Sequence, residues 1–311
     1  RRVRYRAAEA LALALPSKNY SGSNLVMPVL IEAVRATGQP VVVLVGPELD
    51  QRNQLKGYLR AGGAKVFDAP GLGDAVASAR EGGGVDAVVL TSDVRSPGLV
   101  ESVRMLRKDP RLARVPVVVV AGDGQVGQVR DLARSAELVT MVEADGLDQA
   151  KLDEALKQVG GEGMTPEKAA QWAIRAAEAI GRLAETNNPV YDLSAATSSL
   201  ISALDDQRQE VQTAAAEALA VIEAAKAQRA LVELTASSGA AKPVRLAAYQ
   251  AATRSARLFG NQLTEQGVRS VKQAVTGEAD LDIRNAAAEL LGALNLPAAQ
   301  VKGLITAHSG S

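Results

Sequence analysis

The sequence predicts two architectures in one chain: an α-α superhelix built from helix pairs and, set within it, an α/β three-layer domain with a parallel five-stranded sheet. Three observations predict this. One nine-residue helical pattern recurs at Val3, Val211, Val244 and Ile283. Its last three copies start 33 and 39 residues apart, the period of helix-pair solenoids rather than of propellers or leucine-rich horseshoes. Between residues 40 and 163 that pattern gives way to short β-branched runs alternating with helices. The expected organisation is therefore 1–38 helical, 40–163 α/β insertion, and 164–308 helical again.

The recurring pattern reads Val3-Arg4-x-x-Ala7-Ala8-x-Ala10-Leu11, then Val211-Gln212-x-x-Ala215-Ala216-x-Ala218-Leu219, then Val244-Arg245-x-x-Ala248-Tyr249-x-Ala251-Ala252, then Ile283-Arg284-x-x-Ala287-Ala288-x-Leu290-Leu291. Apolar positions at i, i+4, i+7 and i+8 form one stripe of an α-helix, with small residues where a neighbour comes close. Further amphipathic segments, Ser194 to Leu204, Gln228 to Ala236 and Leu263 to Val275, supply a first helix for each of the last three copies. The copy at Val3 has no such helix ahead of it, so a segment of a longer array is expected.

After the first copy, Asn24 to Ala36 reads as the first helix of the next pair, with Ser23 or Asn24 as N-cap and Pro28 in the tolerant first turn. Its second helix is missing from the expected place and reappears at Pro166 to Ala184. Thr165 is the expected N-cap there, Pro166 the first helical residue, and Trp172, Ile174, Ala177 and Ile180 the apolar stripe. The α/β segment thus interrupts the turn of a single helix pair, a place where an inserted domain is tolerated if its ends lie close together.

These copies resemble the HEAT-repeat family, including bacterial lyase-type HEAT proteins. The resemblance rests on the V/I-R-x-x-A-A start of each second helix and on the turn Leu204-Asp205-Asp206 before one of them. It covers Arg1 to about Gly38 and about Thr165 to His308. It implies a HEAT-like solenoid whose second helices line a partner-binding face, while no motif carries over the lyase activity known for some relatives.

In the insertion, strands are expected at Val41 to Val45, Ala64 to Phe67, Asp86 to Leu90, Pro116 to Val120 and Leu138 to Val142. Helices are expected at Gln51 to Ala61, Gly73 to Glu81, Pro97 to Lys108, Val126 to Ser135 and Asp148 to Val159. Strict alternation argues a parallel sheet with helices on both faces and a flavodoxin-like strand order 2-1-3-4-5. Gly71 to Gly73 and Gly82 to Gly84 read as turns bracketing the second helix.

Length, element order, Asp86, Asp109-Pro110 and Val115-Pro116 resemble the response-regulator receiver domain. The resemblance fails at the residues that carry its chemistry. Gly46 and Pro47 stand where the metal-binding acidic pair belongs, Thr91 at the phosphoacceptor, Ala121 at the Ser/Thr switch and Glu143 at the lysine. Phosphoryl transfer needs a carboxylate nucleophile, a cation for the moving oxygens and a lysine for the product. Asp93, two residues past the nucleophile position, would still lack the acidic pair. A phosphorylation-incompetent pseudo-receiver is expected.

The motif Gly122-x-Gly124-x-x-Gly127 has two readings. It follows a strand, opens a helix and has Glu143 21 residues beyond Gly122, the local context of a dinucleotide- or nucleotide-binding fingerprint, with glycines admitting a pyrophosphate to a helix N-terminus. Against this, it sits on the fourth strand, only one helix follows Glu143 before the repeats resume, and Asp123 brings negative charge between the first two glycines. The other reading is a glycine-rich turn at the carboxyl edge of the sheet. Arg4, Arg245 and Arg284 share one repeat position, interrupted by Gln212, and a solenoid stacks them as a ladder that either faces a partner or bonds neighbouring turns.

Composition removes several chemistries. There is no cysteine, and the only histidine is His308, expected as a tail residue, so thiolate, Cys-zinc, His-metal and Ser-His-Asp sites are excluded. With 35 Lys+Arg against 35 Asp+Glu, no global field attracts nucleic acid, and no apolar run reaches the roughly 20 residues that span a bilayer. Arg1 to Leu15 opens with charge and reads as an amphipathic helix rather than a signal peptide, with a leader ahead of Arg1 left open. The expectation is a cytoplasmic, non-enzymatic protein-interaction scaffold without cofactor or metal, which binds protein partners and neither nucleic acid nor membrane.

Overall fold

The computed structural model describes residues 2–80, 84–160 and 164–297; Gly82, Gly83 and His308 lie outside them. The described residues divide into two compact units, one within 35–169 and one of 2–34 together with 170–297. The chain thus enters and leaves the α/β unit at residues 35 and 169 rather than at 40 and 163. The first turn of the helix that begins at Pro166 belongs with the sheet. The reason is local: Gly38, at φ +84°, lies so close to Thr165 and Pro166 that a Cβ on it would sit 2.5 Å from the Pro166 backbone. The two ends of the unit therefore meet.

In the α/β unit, β1 (Val41–Val45), β2 (Lys65–Ala69), β3 (Ala87–Thr91), β4 (Val117–Ala121) and β5 (Val139–Glu143) form one all-parallel sheet in the order β2-β1-β3-β4-β5. The last four begin one residue later than the β-branched runs suggest, because Asp86, Pro116 and Leu138 still serve as approach residues. Asp86 spends its carboxylate on the Val41 peptide N–H at 2.8 Å. β1, β3 and β4 are buried along their whole length, which is why they read as unbroken apolar runs.

Alternate side chains of the central strands feed two cores. Val43, Val45, Val88, Leu90, Val117 and Val119 face the helices α4 (Leu72–Arg80), α5 (Leu99–Lys108) and α6 (Val126–Ser135) through Ala75, Val103 and Val129. Val42, Leu44, Val89 and Val118 face α3 (Leu49–Ala61) and α7 (Gln149–Gly160) through Leu55, Leu59 and Leu152. Period-two alternation thus places helices on both faces of the sheet.

The second unit is helical: α1 (Arg2–Leu13), α2 (Val26–Val34), the body of α8 (Pro166–Glu185), α9 (Ser194–Ala203), α10 (Gln209–Leu219), α11 (Ala225–Thr235), α12 (Lys242–Phe259), α13 (Glu265–Gly277) and α14 (Leu281–Ala293). α9 packs on α10, α11 on α12 and α13 on α14. Across pairs, α10 packs on α12 and α12 on α14, while α9 packs on α11 and α11 on α13. α2 packs on α1 and α9. α8 approaches α10 at Gly181, where a Cβ would lie 3.4 Å from the Ala218 Cα.

Two local expectations need correction. Ser23 and Asn24 do not cap α2; they form a 3-10 turn, Ser23–Leu25, led by Gly22 at φ +85°, which feeds directly into Val26. In α8, Thr165 does accept from the Lys168 N–H at 3.3 Å, but Trp172 and Ile174 are only half-buried. Ala177 and Ile180 are buried as expected, and the stripe they belong to continues through Ala169, Ala173, Ala176 and Leu183.

Candidate functional site

At the carboxyl edge of the sheet, Gly46 ends β1 against Thr91, which ends β3. A Cβ at Gly46 would lie 2.7 Å from Thr91 Oγ1 and 2.9 Å from its Cγ2, so glycine is required there. Thr91 Oγ1 donates to Val45 O at 3.4 Å. Beside them Arg52, 8% exposed, donates to Gly46 O at 2.5 Å and to Pro47 O at 3.1 Å. Its Nε faces Asp68 at 3.6 Å, and Lys56 Nζ holds the other Asp68 oxygen at 2.6 Å. A guanidinium built into the chain thus holds the carbonyls at the end of β1 by hydrogen bonds and faces the Asp68 carboxylate. Asp93 is half-buried, with its Oδ1 enclosed and without a hydrogen-bond partner. Among the described residues no group of three His, Cys, Asp or Glu could hold a metal ion.

The glycine motif lies on the next strand end. Ser92 Oγ accepts the Gly122 N–H at 2.9 Å and itself donates to Gln125 Oε1, so the first peptide N–H of the loop is already engaged. Of the three glycines only Gly124, at φ +76°, holds a backbone conformation that favours glycine. A Cβ at Gly127 would meet nothing within 4 Å, so no close helix-to-strand approach demands glycine there. Glu143 pairs in register with Ala121 and faces Arg130 of α6 at 3.7 Å, both side chains half-exposed. The fold brings the four residues to one edge, as a turn closed by its own side chains.

In the helical unit, residues of the recurring position do one job. Gln212 Nε2 donates to Leu204 O at 2.8 Å, Arg245 Nε to Thr235 O at 2.8 Å, and Arg284 Nε and Nη2 to Glu278 O at 2.9 and 2.7 Å. Each ties the start of a second helix to the C-terminal end of the first helix of its own pair, where carbonyls lack partners within the helix. Arg245 also reaches Glu278 Oε2 at 2.5 Å in the next turn, holding the Glu278 carboxyl below the usual carboxylate range chiefly through that hydrogen bond. Arg4 makes the corresponding second contact, Nη2 to Glu32 Oε1 at 2.8 Å, but its Nη1 is buried with no hydrogen-bond partner.

No protein-family model, curated protein or solved structure matches this chain.

Several residues that shape these sites carry weak sequence signals. Arg52 falls on the apolar stripe of α3 with Leu55 and Leu59, and a charge at a core position is the one hint of its role. Ser92 and Gln125 give no pattern, since they meet only when β3 and β4 pair. In the helical unit Glu9, 9% exposed, accepts both nitrogens of a bidentate Arg175, Nε and Nη2, at 2.6 Å. Arg175 lies 4.8 Å over the Trp172 ring, and Tyr5 meets that ring edge-on at 5.7 Å. The Tyr20 and Tyr191 hydroxyls share a 2.7 Å hydrogen bond; burial, then that bond, pushes Tyr191 above the usual phenol value. Among the described residues no helix is long and apolar enough to cross a membrane.

Proposed function

We propose that this chain is a non-enzymatic protein-interaction scaffold: HEAT-like helix pairs stacked as a solenoid and carrying a receiver-like, flavodoxin-type α/β domain stripped of its phosphorylation chemistry. It acts in the cytoplasm on protein partners. One observation carries the reading. The same repeat position, occupied by Gln212, Arg245 and Arg284, closes three successive helix pairs onto their own first helices while second helix stacks on second helix. Units that bury their faces only against neighbours are the working principle of extended repeat surfaces, which serve recognition rather than catalysis.

The α/β domain supports the same reading. Its strand order is that of the flavodoxin-like group, yet the end of β1 holds Gly46 and the buried Arg52 in place of acidic residues, and Thr91 is packed against that glycine. A cation fixed in the chain at this position supports a reading without a divalent ion.

Affinity capture with the full chain from its source cell, followed by mass spectrometry, tests the proposal. A stoichiometric protein partner is expected, and its repeated absence across growth conditions counts against the scaffold. Incubation with acetyl phosphate and Mg²⁺ should leave the mass of the chain unchanged; a phosphoryl adduct on Asp93 would remove the pseudo-receiver reading.

A further inference from the structure

The α/β unit holds a local excess of positive charge that the whole chain does not. Between Leu99 and Pro116 five cationic residues, Arg104, Arg107, Lys108, Arg111 and Arg114, stand against two acids, Glu101 and Asp109, in a chain of 35 basic and 35 acidic residues. Arg107 has a structural task. Its Nη1 donates to Val115 O at 2.9 Å, and its Nη2 to Glu137 O at 2.8 Å and Leu138 O at 3.3 Å, so it fastens the turn after α5 to the approach of β5. Asp109 is engaged at the other end of that turn. Its Oδ1 accepts the Arg111 N–H at 2.8 Å, and its carbonyl accepts the N–H groups of Leu112 and Ala113 at 2.9 and 2.8 Å. The segment 109–115 is thus held at both ends.

Four cations are displayed on this fixed frame: Arg104, Lys108 and Arg114 are exposed and Arg111 is half-buried. Arg104 meets Glu101 at 2.6 Å, but the two side chains are 61% and 45% exposed, so solvent screening leaves the guanidinium open to a competing carboxylate. A helix C-terminus accounts for Lys108, because its carbonyls favour a cation in the last turn. It does not account for Arg111 and Arg114, which lie past Asp109, the extended residue that ends α5. On the outer face of the same helix Val100 is 44% and Met105 46% exposed. Val100, Arg104 and Lys108 follow one another at i, i+4 and i+8, so apolar and cationic contacts lie side by side.

We propose that the outer face of α5 and the turn after it dock an acidic segment of a partner protein, whose carboxylates meet Arg104, Lys108, Arg111 and Arg114 and whose apolar side chain covers Val100 and Met105. The inference rests on the scaffold reading for the partner being a protein, and adds to it a place and a chemistry. Charge complementarity selects an anion. The acids within the patch select a discrete one: a nucleic-acid backbone or an anionic bilayer presents phosphates across the whole face and meets Glu101 as well, whereas a peptide can place its carboxylates at the four cations alone. Between Leu99 and Pro116 there is no aromatic side chain on which a base could stack. Val100 and the adaptable Met105 fit an aliphatic side chain instead.

The test uses the full chain. A random peptide library displayed on phage is panned against wild type and against Arg111→Glu/Arg114→Glu, and the consensus peptide is then labelled for fluorescence anisotropy. The expected consensus joins acidic residues to an aliphatic one and is enriched on wild type alone. The charge-reversed variant should weaken the labelled peptide at least about tenfold by replacing attraction with repulsion. Arg104→Gln/Lys108→Gln alters only exposed side chains, so the chain should still fold, and it should weaken binding in the same direction. Met105→Ser should weaken it about threefold through the lost apolar contact. A library with no sequence that prefers wild type, a consensus without acidic residues, or binding that both charge variants leave unchanged overturns the proposal. Tighter binding of oligothymidine or of phosphatidylserine vesicles than of the peptide overturns it by assigning the face to a nucleic acid or a membrane. Self-association that Arg111→Glu/Arg114→Glu disperses overturns it by assigning the face to a second copy. Capture of one cellular partner equally by wild type and by that variant sinks this site while the scaffold reading stands.

Discussion

Arg245 Nη2 lies 2.5 Å from Glu278 Oε2, across 33 residues of sequence, while Nε of the same guanidinium holds Thr235 O at 2.8 Å. One side chain therefore joins the end of its own first helix to the acidic turn between α13 and α14, inside the next pair. Both partner side chains are 22% exposed, so the charge pair is partly screened and the bond to Thr235 O is the steadier part.

Arg245→Ala should cost about 1 kcal/mol through the lost bond to Thr235 O, read by urea unfolding of the full chain. The ion pair adds a pH dependence. The folded-state pKa of Glu278 is depressed by the Arg245 hydrogen bond, so its contribution is present above the ordinary value of 4.5 and is lost as pH falls through the folded value. The difference in stability between wild type and Arg245→Ala should shrink on acidification below that range. A gap that stays constant from neutral to strongly acidic pH would show that the pair contributes nothing.

Gly46 and Thr91 should be coupled. Gly46→Ala places a Cβ 2.7 Å from Thr91 Oγ1 and should destabilise the α/β unit by about 1–3 kcal/mol. Thr91→Ala removes the obstructing atoms, so the double variant Gly46→Ala/Thr91→Ala should be more stable than the sum of the single losses predicts. Additive single effects in a double-mutant cycle would contradict this packing.

Gly124 and Gly127 should respond in opposite directions. Gly124→Ala must hold φ +76° and should cost about 1 kcal/mol, whereas Gly127→Ala, in the first turn of α6 with open space around it, should stabilise by about 0.5 kcal/mol. Calorimetric titration of either variant or of wild type with NAD or ATP should give no heat. Binding abolished by Gly127→Ala would restore the fingerprint reading of the motif.

Removing Arg175 alone should cost more than removing both members of its pair. Arg175→Met leaves the carboxylate of Glu9, 9% exposed, without its bidentate partner, a loss of about 2 kcal/mol after allowing for the half-exposed guanidinium. Glu9→Gln combined with Arg175→Met leaves no uncompensated charge and should recover part of that loss in thermal unfolding.

Element type was legible wherever the apolar period was strong. The β-branched runs led to five strands within one or two residues of their observed limits, because a strand buried on both faces leaves no alternative pattern. The repeat position of Arg4, Arg245 and Arg284 was legible by recurrence alone. Its partners were not, since Thr235 O and Glu278 O are backbone atoms whose availability depends on where a helix stops. α8 was placed correctly at Thr165-Pro166, and of its expected stripe Ala177 and Ile180 are buried while Trp172 and Ile174 are only half-buried.

By itself, then, the sequence determined a parallel α/β domain beside a helical part, the missing cysteine chemistry, and the absence of acidic residues at the end of β1, all properties of residue type and period. Tertiary structure decided the rest: the seating of Arg52 over the β1 carbonyls, the meeting of Ser92 with Gln125, and the exposure in α1 of a stripe buried in α10, α12 and α14. The physical reason is that burial belongs to a pair of surfaces. Val3 and Val211 are the same residue in the same helical pattern, yet one is 84% and the other 1% exposed, because the neighbours around the two helices differ.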